Sequence, residues 1–351
     1  MENKSYHQQK NIEYIKKLRE FMAELPGYVT SYFRGIEQRT QARSRLAYAN
    51  DIKVFFEWIK KSNPLFADKD LKSIPASALS DMTAFDIEEY MEYLKIRDDE
   101  EIETVNAEVT IKRKMSALRS LYNYLYKNQI IENNAPIQVE MPKLHEKAIV
   151  RLDVDEVSKF LDVVEYGPEN MTERKKTFHE LNKTRDLAIM TLLLGTGMRV
   201  SELVGIDLKD LDFENGRVKV TRKGGYEAYI YFGEEVSEAL EKYVEEREDI
   251  KNIKPGHEDA LFLSVRKSRI TVRSIEILVK EYSSYITTVK KITPHKLRST
   301  YGTTLYQETG DIYLVADVLG HKDVNTTRKH YAALDEERKL KARDIVKLRK
   351  E

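Results

Sequence analysis

The stretch "TPHKLRST", residues 293–300, decides how the second half of this chain is read. Thr293 is a good helix N-cap and Pro294 suits the first helical position, so a helix is predicted from Pro294 onward. Residues at i and i+3 share a helix face, so His295 and Arg298 point the same way near the positive end of the helix dipole. Such a place attracts an anion. Taken alone, the same residues equally describe an ordinary solvated first turn. Their neighbours must decide.

Working outward, helical periodicity predicts elements at 234–248, 271–284, 294–308 and 311–319. After the last comes "VLGHKDVNTTRKHYAAL", with His321 at a glycine-preceded bend and Tyr331 ten residues later. Upstream, residues 211–232 change period. "LDFENGRVKVTRKGGYEAYIYF" alternates as strands do, with Asn215-Gly216 and Gly224-Gly225 as turn signals, predicting a three-stranded antiparallel meander with Lys223 at its second tip. Further upstream "GTGMRVSEL" sets Arg199 just after a Gly-Thr-Gly bend at a helix start, with Glu202 three residues on. Helices are also predicted at Val154–Val164 and Arg185–Leu194, with an exposed, partly helical insertion, "EYGPENMTERKKTFHELNK", between them. Each candidate has a plain structural explanation: an Arg199–Glu202 pair, a turn lysine, a helix-capping His321, a core tyrosine. Those explanations account poorly for all of them in this order.

The first part of the chain has a different character. Ile12, Ile15, Leu18, Met22 and Leu25 fall at helical spacing and Pro26-Gly27 closes that segment. A longer amphipathic helix follows at about 40–61, with Tyr48, Ile52, Phe56 and Ile59 on one stripe. Thr83–Asp86 reads as a capping-box variant opening a helix through Leu94. In "TIKRKMSALRSLYNYLYKNQII", Ile111, Met115, Leu118, Tyr122 and Leu125 form an apolar face, and Lys112, Arg113, Lys114 and Arg119 lie opposite. Those cations are either a solvated face or a surface for a polyanion. No convincing strand is found, so residues 1–135 are expected to be an α-helical domain, 136–150 a linker marked by Pro136 and Pro142, and 151–351 a second, mainly helical domain.

Lysine plus arginine equals aspartate plus glutamate at 59 each, so net charge names no partner. Its distribution is more informative: residues 265–300 carry nine cations against Glu276 and Glu281, while 201–250 are acidic, which permits one basic face. With no cysteine, disulfides and thiol catalysis are excluded. The polar start "MENKSYHQQKN" does not read as a signal peptide and no apolar run reaches a membrane span, so a soluble cytoplasmic protein with no membrane role is expected.

The order Arg…Lys…His-x-x-Arg…His…Tyr, with "TGMRVSELVGIDLKDL", "TPHKLRSTYGTTL" and "VLGHKDVNTT", resembles the tyrosine recombinase (integrase) family over most of residues 150–335. "RLAYANDIKVFFEWIKK" and "IKRKMSALRSLYNYLYKNQIIENNAP" resemble that family's SAM-like core-binding domain. Within the family the chain is most similar to the Xer resolvases. Its extra N-terminal helix and the insertion near 165–183 resemble the single-recombinase XerS branch.

The resemblance implies a mainly α fold with a small antiparallel meander, organised as a two-domain DNA clamp. It implies a site of Arg199, Lys223, His295, Arg298, His321 and the nucleophile Tyr331, and DNA contacts from Lys112, Arg113, Lys114 and Arg119. Physical need agrees. Two arginine forks suit the charge that develops on a phosphate's non-bridging oxygens, and imidazoles can add hydrogen bonds or take a proton. A phenol with a pKa of about 10 needs such help to attack at neutral pH. Lys223 would protonate the leaving 5′-oxygen, and Glu202 would orient Arg199. A 3′-phosphotyrosyl bond stores the energy of the broken strand, so no cofactor and no metal is expected; a metal on the two histidines and Asp323 would be repelled by the arginines.

Also implied are double-stranded DNA with an inverted-repeat, dif-like site, a homotetramer on two duplexes, a Holliday junction, and an FtsK-type translocase as possible activator. The tail "KLKARDIVKLRKE", with Leu340, Ile345, Val346 and Leu348, suits docking on a neighbouring subunit or packing on its own. Two other functions remain open at this point: the integrase of a phage or mobile element, and a non-catalytic DNA-binding protein of the same fold. One departure stands out. Tyr331 lies one residue further from His321 than relatives usually place the nucleophile, so His330 falls where tyrosine is expected.

Overall fold

The computed structural model of the protein describes residues 5–99, 102–144, 150–169, 171–222, 224–321 and 323–324. The chain separates into two compact units, Met1–Lys147 and Ala148–Glu351. Among the described residues it is mainly helical with two small antiparallel sheets. No described helix is long and apolar enough to cross a membrane.

The first unit runs α1 (Tyr6–Glu24), α2 (Gly27–Gly35), α3 (Ala42–Ser62), α4 (Ala76–Ser80), α5 (Ala84–Lys95), β1 (Ile96–Asp99), β2 (Ile102–Val105), α6 (Glu108–Lys127) and α7 (Ala135–Gln138). Its core is aromatic: Phe55 of α3 packs on Tyr90 of α5 with ring centroids 4.9 Å apart, and Trp58 and Tyr122 close the cluster. At the start of α5 the Asp86 carboxylate accepts both the Thr83 N–H and the Thr83 hydroxyl, each at 2.7 Å.

Three features differ from expectation. First, α2 begins at Gly27 with Pro26 as its N-cap; that pair ends one helix and opens another, whose Val29, Tyr32 and Phe33 are buried at helical spacing. Second, β1 and β2 form an antiparallel hairpin, pairing Ile96 with Val105, in a domain expected to hold no strand. Its sequence "IRDDEEIETV" carries none of the glycine or asparagine that marks a tight hairpin turn, which is why the period went unread. Third, the segment expected as linker opens with α7, whose Ala135 and Pro136 are buried.

The second unit runs α8 (Val154–Tyr166), α9 (Glu173–Glu180), α10 (Lys183–Thr196), α11 (Val200–Val204), β3 (Leu211–Asp212), β4 (Arg217–Thr221), β5 (Glu227–Tyr231), α12 (Glu234–Glu248), α13 (Val272–Ser284), α14 (Pro294–Thr309) and α15 (Ile312–Leu319). The meander has the expected order β3-β4-β5, with Val218 opposite Ile230 in the buried register. Beyond its polar first turn, helix α10 is buried on most sides and forms the core, with Ala188, Ile189, Met190, Leu192 and Leu193 fully enclosed. Each large aliphatic side chain so buried contributes roughly 1.5–3 kcal/mol.

Polar groups fix the orientation of α10. Arg185 donates to Asp186 at 2.6 Å and Tyr282 of α13 donates to the same carboxylate at 2.9 Å. Burial raises the Asp186 pKa above the ordinary aspartate value, and the charge of Arg185 opposes that shift. The insertion folds as α9 and is mostly exposed, held by the buried His179 ring, whose Nε2 lies 2.9 Å from the Val164 carbonyl. Thr300 of α14 accepts the Leu152 N–H at 3.0 Å, tying the start of the unit to the helix that opens at residue 294.

Candidate active site

Helix α15 ends in glycine, and the rest of the site follows from that ending. Gly320 sits in the left-handed region at φ 62° and ψ 48°. Its N–H returns to the Asp317 carbonyl at 2.8 Å, and the His321 N–H returns to Ala316 at 2.8 Å. This is the Schellman arrangement; it uses the carbonyls of residues 316 and 317 and turns those of Val318, Leu319 and Gly320 outward.

Three arginines take those three carbonyls. Arg222 donates to Val318 at 3.3 Å, Arg298 donates to Leu319, and Arg199 donates to Gly320 at 3.2 Å. The negative end of the α15 dipole favours cations here. Arg298 also donates to the Gly197 carbonyl at 2.8 Å. Gly197 is itself left-handed, at φ 62°, where α10 stops two residues before Arg199. Arg298 thus spans the ends of α10 and α15, and Arg199, two residues beyond Gly197, bonds the same α15 end. A guanidinium has five N–H donors, enough both to be anchored by carbonyls and to grip a phosphate.

Arg199 opens α11, and the buried Glu202 carboxylate accepts its backbone N–H and its Nη1, both at 2.9 Å. The side chain of Arg199 remains about a third exposed, at 34%, so the fork reaches solvent while Glu202 fixes its base. Arg298 is buried on α14, and His295, one turn earlier, is exposed at the rim. Pro294 takes the first helical position as expected. Thr293 takes the N-cap position without a side-chain capping bond; the Lys296 N–H goes instead to the Thr293 carbonyl at 2.8 Å. His321 follows Gly320 directly and is half-buried. Arg199, Arg298 and the His321 backbone therefore meet at one turn, with His295 on the helix that delivers Arg298. Lys223 and Tyr331, and the tail 339–351, lie outside the described residues.

Sequence reasoning missed Arg222 and the purpose of Gly320. The dibasic pair Arg222-Lys223 was the available signal, but only Lys223 matches the motif. Gly320 is favoured by its positive φ, and a Cβ there would fall 2.2 Å from Arg222 Nη1, so that guanidinium would have to shift. Gly320→Ala is expected to lower the stability of the second unit by about 1–2 kcal/mol from left-handed strain alone, read as a shift of the urea unfolding midpoint.

The proposed DNA face of α6 needs correction. Lys114 is buried and donates to the fully enclosed Asp51 carboxylate at 3.1 Å, so it fastens α6 to α3 instead of lying on an open face. Arg113 is exposed to about half its side-chain surface, at 46%, while its head bonds the same carboxylate. Arg119 is half-buried, donating to the carbonyls of Pro136 at 2.9 Å and of Val139, which pins α7. Lys112 is half-buried. The i to i+2 spacing of Lys112 and Lys114 already puts them about 200° apart on a helix, so one face cannot hold all four. Among the cations of 265–300, Arg269 likewise turns inward, to the Val204 and Ile206 carbonyls at 3.0 and 2.8 Å.

Comparison with known proteins gives the class. Residues 150–338 match the phage integrase family, and residues 30–132 match the phage integrase N-terminal SAM-like domain. The tyrosine recombinase XerS of Streptococcus thermophilus is 32% identical over 351 aligned residues, covering 93% of this chain and 97% of that protein. XerS of Lactococcus lactis is 31% identical with the same coverage. In fold, the chain is similar to the XerH site-specific recombinase bound to its difH substrate, with a TM-score of 0.60 at 20% identity over 92% of this chain and 93% of that one. Two matched regions in the family's order, and relatives that span nearly the whole length, show that this chain belongs to the phage integrase family, as a Xer-type tyrosine recombinase.

Proposed function

We propose that this site-specific recombinase cuts and rejoins double-stranded DNA at an inverted-repeat, dif-like site, resolving chromosome dimers in the cytoplasm as chromosomes segregate. One observation carries the chemistry: Arg199 and Arg298 are anchored to the same helix end that delivers His321. The likeness to XerS proteins over 93% of the chain favours the Xer role over that of a mobile-element integrase.

In this reading the two guanidinium forks hold the non-bridging oxygens of the scissile phosphate, with His321 adding a hydrogen bond. Tyr331 Oη attacks phosphorus and its proton passes to His295. The P–O5′ bond breaks as Lys223 gives a proton to the 5′-oxygen, leaving a 3′-phosphotyrosine and a 5′-hydroxyl. Attack by the 5′-hydroxyl of a partner strand reverses the step. Charge stabilisation by fixed donors is the largest contribution, each donor supplying about 10²–10³-fold. Four copies on two duplexes would pass through a Holliday junction, with the tail 339–351 of each docking on a neighbour and an FtsK-type translocase as activator. On the first unit, Lys112 and Arg113 remain the α6 cations for the DNA backbone, and binding should weaken steeply with salt.

The test is to incubate the protein with a library of inverted-repeat duplexes and map the phosphates that become linked to tyrosine. Adducts at two symmetric positions within a chromosomal inverted repeat are expected. Adducts confined to the ends of a mobile element would replace the dimer-resolution role, and binding without any adduct would overturn the catalytic reading.

A further inference from the structure

We propose that Arg222 is a positioning residue, a latch that clamps the β4–β5 hairpin onto the end of α15 and so sets where the next residue, Lys223, delivers its proton. The proposal rests on the reading of Lys223 as the general acid. The hairpin closes on Arg222 itself: its N–H donates to the Tyr226 carbonyl at 2.8 Å, and its carbonyl accepts the Gly225 N–H at 3.0 Å. Its side chain then leaves the sheet and lies on Gly320, donating to Val318 at 3.3 Å. Its Nε is buried with no hydrogen-bond partner among the described residues, so the bond to Val318 and the packing on Gly320 are what hold the head.

The physical need for a latch is plain. Gly224 and Gly225 follow at φ 108° and 88°, a turn built for conformational freedom. A proton donor at the edge of such a turn loses rate steeply with small misplacements. Arg222 is the described link from the turn to the carbonyl array that also holds Arg199 and Arg298. Its own direction, toward the Val318 carbonyl, makes it a support for the site and leaves the phosphate to the other two arginines.

The test uses two suicide substrates that differ at one atom. In the first the scissile phosphate carries the normal 5′-oxygen; in the second a bridging 5′-sulfur replaces it. On the sulfur substrate Tyr331 Oη still attacks phosphorus, but the P–S bond breaks to a thiolate that needs no proton. Arg222→Ala is expected to slow oxygen cleavage by about 10- to 100-fold, within the range a general acid supplies, and to cleave the sulfur substrate at the wild-type rate. Arg222→Lys keeps the charge without the fork and should fall between Ala and wild type. A folding defect lowers both rates together, so the sulfur-to-oxygen ratio within each variant reports position alone. Lys223→Ala is the control. If Lys223→Ala is rescued by sulfur and Arg222→Ala is not, or if Arg222→Ala cuts the oxygen substrate as wild type does, the latch is refuted while the general-acid reading stands. If Lys223→Ala is not rescued, that reading falls and the latch falls with it.

Discussion

Tyr331→Phe is expected to form no covalent adduct on a nicked suicide substrate, a loss of at least about 10⁴-fold, while binding the same duplex as tightly as wild type. The substitution removes one oxygen, the one proposed to attack phosphorus, and leaves the ring. DNA affinity comes from many cations along the backbone and is insensitive to one hydroxyl. The spacing makes this a sharper test than usual, because His330 falls where the resemblance leads one to expect tyrosine. A phosphohistidine is acid-labile and a phosphotyrosine is acid-stable. Wild-type adduct should therefore survive acid, His330→Ala should retain it, and Tyr331→Phe should lack it. An adduct that persists in Tyr331→Phe and dissolves in acid would move the nucleophile to His330.

Much of the fold was legible because its signals are local. Helix periods, the Thr83–Asp86 start, the proline at 294 and the Asn-Gly and Gly-Gly turns each act within a few residues. The hairpin β1–β2 was missed because its turn lacks such a marker, and α2 because Pro-Gly punctuates two helices as readily as it ends one. At the site, the motif named Arg199, His295, Arg298 and His321 but not what holds them. Arg199 bonds a carbonyl 121 residues away and Arg298 one 101 residues away, and no local pattern carries those pairings. The same blindness misassigned Lys114. On the sequence it is one of four cations on a helix; in the fold it meets Asp51, 63 residues earlier, and is buried.

Arg298 should be the least replaceable of the supporting residues. Arg298→Ala is expected to reduce the rate of adduct formation by at least about 10³-fold, the upper end for removal of one transition-state donor. It should also lower stability, because two losses coincide. The carbonyls of Gly197 and Leu319 lose their buried donor, at about 1–3 kcal/mol for each group left unpaired. Arg298→Lys separates the two roles. A lysine keeps the charge, but one ammonium on a flexible stem cannot span both helix ends and grip a phosphate as a planar fork does. The lysine variant should therefore recover part of the urea midpoint lost by alanine and still cleave about 10²-fold or more below wild type. Single-turnover cleavage and urea unfolding on the same three proteins give the answer. If Arg298→Lys cut DNA within tenfold of wild type, roughly 1.4 kcal/mol, charge alone would suffice, and the anchoring of the fork between α10 and α15 would have no part in the chemistry.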